Sequence, residues 1–126
     1  MPFPEPTTPA SSRAEVFLRY LDYFRSQLAG QLQALPAAER ARSRLLSGWT
    51  PLELVKHLRY VELRWLEWGF EGRDLADPWG DRNGDRWDGA DPPTLERVLF
   101  HLLQEYARHL GHLDLVVEIV TGQAEE

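Results

Sequence analysis

Leu95-Glu-Arg-Val-Leu-Phe-His101-Leu-Leu-Gln-Glu105-Tyr-Ala-Arg-His109-Leu-Gly-His112-Leu-Asp114 decides the fold. On a helical wheel of ~100° per residue, Leu95, Leu99, Leu102, Tyr106, Leu113, Val117 and Val120 fall on one apolar stripe. His109 lies ~40° from the axis of that stripe, with Glu105, His112 and His101 further out on the same side. The helix therefore carries a polar seam along one edge of its core face. Asp91-Pro92-Pro93-Thr94 supplies its start and Gly122 its stop.

Working outward, Val16, Phe17, Tyr20, Leu21, Phe24, Leu28 and Leu32 recur at helical spacing and predict a first helix from Arg13 to about Leu35, ended by Pro36. Ala37–Leu46 reads as a short helix or an irregular turn. Thr50-Pro51-Leu52-Glu53 combines a Thr cap, Pro at the first helical position and Glu three residues after the cap. It predicts a second long helix to about Phe70, stopped by Gly72, with Leu54, Leu58, Val61, Trp65 and Trp68 as its stripe and His57 on the edge. Residues 72–93 lack periodicity and read as a long loop. The expectation is an all-α protein of three long helices and one unusually long connection. Residues 1–12, with four prolines, read as a flexible arm; residues 13–122 form the helical domain and 123–126 a tail.

Bulk composition narrows the function. A chain of 126 residues with 43% hydrophobic and 27% charged residues is one small globular domain. A net charge of −6, with no basic cluster and Lys56 the sole lysine, argues against nucleic acid as a partner. The N-terminus lacks the basic and apolar regions of a signal peptide, and no apolar run nears the ~20 residues of a membrane span. A cytoplasmic location is the simplest expectation. With no cysteine, the protein cannot supply a thiolate ligand or thiol nucleophile itself.

Glu105 and His109 stand one turn apart on one face, and His57 can arrive from a facing helix. Such a two-His, one-carboxylate set suits Zn, Ni, Fe or Mn and leaves coordination positions open. The plainer alternative is a pair of satisfied core histidines, with Glu105 paired to Arg108 or another cation. His112 competes for the third ligand place, being i+3 from His109; His101 is the weakest candidate by angle. The five tryptophans (Trp49, Trp65, Trp68, Trp79, Trp87) frame either an aromatic pocket or, more commonly, core and subunit interface. Asp81, Asn83 and Asp85 imitate a calcium loop, but Arg86 stands where Gly is needed and Pro92 where the bidentate carboxylate belongs.

Gly48-Trp-Thr-Pro-Leu-Glu-Leu-Val-Lys-His57-Leu-Arg-Tyr-Val-Glu-Leu-Arg-Trp65 is similar to the second helix of the DinB-like superfamily, and Pro93 to Asp114 resembles the last helix of a branch related to mycothiol-dependent transferases and maleylpyruvate isomerases. The resemblance implies a four-helix bundle with a divalent metal, Zn or Ni foremost, on His57, Glu105 and His109. It implies thiol transfer or thiol-dependent isomerisation, in which the metal stabilises the thiolate of a low-molecular-weight thiol that attacks an electrophile. His112 or Tyr106 would assist proton transfer. Relatives carry a further helix between the Trp-rich loop and the last helix, whereas here Asp88-Gly-Ala-Asp91 joins the two almost directly. Leu52, Val55, Leu63, Leu66 and Phe70 on the second helix would then lack cover, so a homodimer is expected to complete the bundle. Other readings of the same seam are a non-catalytic helical dimer serving as an interaction or structural module, and a metal-dependent hydrolase using bound water.

Overall fold

The computed structural model describes residues 1–73 and 90–122. The elements are α1 (Arg13–Ala34), the one-turn α2 (Ala37–Arg40), α3 (Pro51–Glu62), a π-helical continuation of α3 (Leu63–Phe70), and α4 (Leu95–Thr121). No strand occurs among the described residues, and the all-α expectation holds. Trp79, Trp87, the Asp81–Asp85 imitation of a calcium loop, most of the long loop and the tail 123–126 lie outside the described residues.

Local chemistry sets the helix ends. Ser12, Thr50 and Thr94 each accept a hydrogen bond from the backbone N–H three residues on. Thr50 and Glu53 close a reciprocal capping box behind Pro51. Gly122 ends α4 in the left-handed region at φ 72°, a conformation costly for a residue with a Cβ.

The three long helices assemble by a simple register. Arg13 pairs with Glu96, Phe17 meets Phe100 edge to face, and Gln31 donates to Asp114. Each pair is separated by 83 residues (96 − 13, 100 − 17, 114 − 31), so α1 and α4 run side by side in the same direction. Along α3 the partners reverse order: His57 meets Glu105 and Trp65 meets His101, so α3 is antiparallel to α4. The core between them is Leu21, Leu28, Leu35, Leu58, Val98, Leu99, Leu102, Tyr106, Leu110, Leu113 and Val117. α4, ~40 Å long, is the element that both others pack against.

Two details depart from the helical periodicity. From Leu63 the chain widens into a π-helix, shown by the bond from Glu71 N–H to the Leu66 carbonyl five residues back. Within this wider turn Arg64 is only 4% exposed and lies against the rings of Trp65 and Trp68. Of the α3 side chains expected to lack cover, Val55 and Leu66 pack against the core, while Leu52 and Phe70 stay exposed. The Pro-rich residues 1–12 lie along α1, with Phe3 edge-on to Tyr20 and Tyr23 and the Arg19 guanidinium donating to the Pro9 carbonyl.

Candidate metal centre

His57 projects from the middle of α3 because the Thr50 box fixes the start of that helix and Leu54 and Leu58 turn its apolar side to α4. Glu105 and His109 project from α4 one turn apart. The three meet: His57 Nε2 and His109 Nε2 each stand 3.2 Å from the same carboxylate oxygen, Glu105 Oε2. One donor atom from each residue lies within 4.8 Å of the other two, and the group could hold a metal ion. The other carboxylate oxygen, Oε1, faces His101 Nε2 at 3.8 Å.

Trp49, immediately before the Thr50 cap, closes one side of the cluster. Its indole stacks on His109 (ring centroids 6.0 Å apart, planes 15° apart) and meets His57 edge-on at 5.3 Å. His109 is thus oriented by a ring face. Its Nδ1 is buried and has no hydrogen-bond partner among the described residues. The sequence signal for Trp49 is an indole placed just before a capping box, two turns ahead of His57.

The electrostatics suit ligation. Burial pushes the Glu105 carboxyl up, but the hydrogen bond and charge of His57, with His109 and His101 behind, outweigh it and hold the group below the ordinary carboxylate range. Burial, then the neighbouring His57, pushes the His109 imidazole below its usual value against the pull of Glu105. An ionised carboxylate and neutral imidazole are the metal-binding forms. The spacing fits as well. Metal–ligand bonds of ~2.0–2.1 Å at the tetrahedral angle set neighbouring donors ~3.3–3.4 Å apart, close to the 3.2 Å found here.

The remaining expected site residues fall in different places. His112 is exposed, with its ring 6.2 Å from that of His109. Tyr106 is 3% exposed, and its hydroxyl donates to Glu62 Oε2 at 2.6 Å. Glu62 also accepts from Arg25 of α1, so the three long helices are tied together beneath the cluster. Burial and then the Glu62 carboxylate push the Tyr106 phenol far above its usual range, and it stays protonated. This Arg25–Glu62–Tyr106 tie is not readable from spacing, because its members come from three separate helices.

A parallel helix pair crossed by a third antiparallel helix, with a nitrogen–oxygen–nitrogen donor set between the last two, defines a helical-bundle class of candidate metalloprotein. Comparison with protein families specifies it further. The model of the Mycothiol-S-transferase family, which is DinB-like, matches residues 16–94 and 74–122, and the chain belongs to that family. No curated protein and no solved structure matches the chain.

Proposed function

We propose that this protein binds a divalent metal, Zn or Ni, through His57, Glu105 and His109, and that it is a thiol-dependent transferase or isomerase of the mycothiol type. The observation that carries the reading is the single carboxylate oxygen shared at 3.2 Å by imidazoles from two helices, in a cysteine-free chain of this family. A divalent ion held there supplies the positive charge that favours the deprotonated form of a small thiol, a nucleophile the chain itself lacks. The residues present do the rest. Glu105 brings an ionised oxygen, the two imidazoles bring ring nitrogens, and Trp49 screens one side from water. His112, exposed one turn beyond His109, is the group placed to pass a proton to or from solvent. Tyr106 serves by anchoring Glu62.

The protein acts as a homodimer on this reading, with exposed Leu52, Phe70, Phe100, Leu115 and Ile119 as the apolar surface that a second copy covers. No helix among the described residues is long and apolar enough to cross a membrane; a cytoplasmic site of action belongs to the proposal.

Elemental analysis of the purified chain tests the centre. About one divalent ion per chain is expected in the wild type, with loss in both His57→Ala and His109→Ala. A metal-free wild type would overturn the proposal. The loaded protein, incubated with a low-molecular-weight thiol and an electrophile, should yield the thioether. Consumption of the electrophile without thiol would point to water as nucleophile. Sedimentation of the wild type as a monomer at micromolar concentration would remove the dimer.

A further inference from the structure

The two carboxylate oxygens of Glu105 face different neighbours. Oε2 takes His57 Nε2 and His109 Nε2, each at 3.2 Å, whereas Oε1 faces His101 Nε2 at 3.8 Å. His101 stands one helical turn before Glu105 on α4, as His109 stands one turn after it, so the carboxylate lies between two imidazoles of its own helix. Only on the His109 side does a third ring, His57 of α3, join to make a donor set. A cation drawn to that set meets Oε2, and Oε1 is turned away toward His101.

His101 is itself held from two directions. Its ring meets Trp65 of the π-helical segment edge to face, with centroids 5.0 Å apart, and its Nδ1 lies 3.5 Å from Gln104 Nε2. An amide nitrogen can only donate, so Nδ1 accepts, and a neutral ring then carries its proton on Nε2, the atom that faces Oε1. The pair stands ~0.9 Å beyond the ~2.9 Å of an N–H···O bond. Small rotations of the two side chains, 40% and 21% exposed, close that gap. A carboxylate can serve a divalent ion through one oxygen or through both, and the second oxygen fills a position that a catalytic site keeps open.

We propose that His101 is a positioning residue: by engaging Oε1 it confines Glu105 to one ligating oxygen, and so keeps a place beside the donor set for the sulfur of a small thiol. The inference rests on the metal-centre and thiol reading above and deepens it. It also gives a role to a histidine that helical angle ranks last as a ligand. His101 acts on the carboxylate rather than on the ion, as the outer partners of metal ligands commonly do.

The test uses full-length protein loaded with cobalt(II), whose visible absorption weakens as its coordination number rises above four. His101→Phe keeps a ring against Trp65 and removes the nitrogen; His101→Gln keeps a donor and removes the ring. His101→Phe should still bind cobalt but show a weaker visible band. It should also bind 2-mercaptoethanol, followed by the thiolate-to-cobalt charge-transfer band, ~tenfold or more weakly than the wild type. His101→Gln should bring both readouts back toward wild type. Packing against Trp65 alone predicts the reverse order, with Phe intact and Gln impaired. An unaltered band and thiol affinity in His101→Phe would overturn the proposal, as would His101→Gln failing to restore them. Loss of cobalt from His101→Phe would make His101 a ligand and overturn it equally. A wild type that takes up no cobalt, or whose cobalt takes no thiol, refutes the proposed function and this inference together. A wild type that binds both beside an unaltered His101→Phe refutes the inference alone.

Discussion

Replacing Tyr106 with Phe separates the roles open to this residue. The ring is buried at 3% exposure, and Phe keeps almost all its volume, so core packing and apolar burial are nearly unchanged. What is lost is one hydrogen bond, 2.6 Å long, to the charged Glu62. Such a bond contributes ~1.5–3 kcal/mol, and the lower part of that range, ~1.5–2 kcal/mol, applies because Arg25 still satisfies Glu62. At ~2.1 cal/mol/K per residue, the 126 residues have an unfolding entropy of ~0.26 kcal/mol/K, so Tm should fall by ~6–8 °C. Thermal unfolding followed by circular dichroism at pH 7 measures it, and metal affinity measured alongside should change by less than ~threefold, well short of the 10–100-fold cost of disturbing a ligand's outer partner. There is also a pH signature. The native phenol is raised above its unfolded value, so its contribution is complete below ~pH 10 and is lost as pH rises past it. Wild-type Tm should therefore drop more steeply than that of Tyr106→Phe above that pH. A variant with unchanged Tm, or one with unchanged Tm and a hundredfold loss of metal affinity, would refute the assignment of Tyr106 as an anchor.

Three further outcomes follow from the same geometry. The His109 imidazole is held below its unfolded value, so the unfolded chain takes up a proton first as pH falls through ~6.5; metal-free protein should lose Tm from pH 7 to pH 5.5, and His109→Gln should lose less, whereas a Tm that rises on acidification would contradict the placement. Trp49→Ala removes the ring that orients His109 and should weaken metal binding ~10–100-fold in a competition titration with a chromophoric chelator; an unchanged Kd would show that the stack is incidental. Gln31→Leu leaves the Asp114 carboxylate without its buried donor and should cost ~1–3 kcal/mol in urea unfolding, with no effect on metal content.

Much of this architecture is legible in the chain because its signals are local. The Thr50 capping box, the Thr94 cap and Gly122 mark helix ends through bonds within four residues, and the stripe from Leu95 to Val117 reports its own buried face. Glu105 and His109 can be paired on paper because one helical turn fixes their separation. What stays hidden depends on packing between segments. The π-helical turn from Leu63 to Phe70 and the burial of Arg64 within it leave no periodic mark in the sequence. The stack of Trp49 on His109 needs α3 at one height against α4, as does the Arg25–Glu62–Tyr106 tie. Periodicity carries no information on that height.

The constant 83-residue offset has a consequence for how this chain tolerates change. Two neighbours that point the same way must be joined by a detour, and here the detour is everything from Leu35 to Thr94. The mating of first and last helices is written in their own side chains, as is the crossing where His57 meets Glu105. Variation in the length of the detour can therefore leave the alignment of that scaffold as it is.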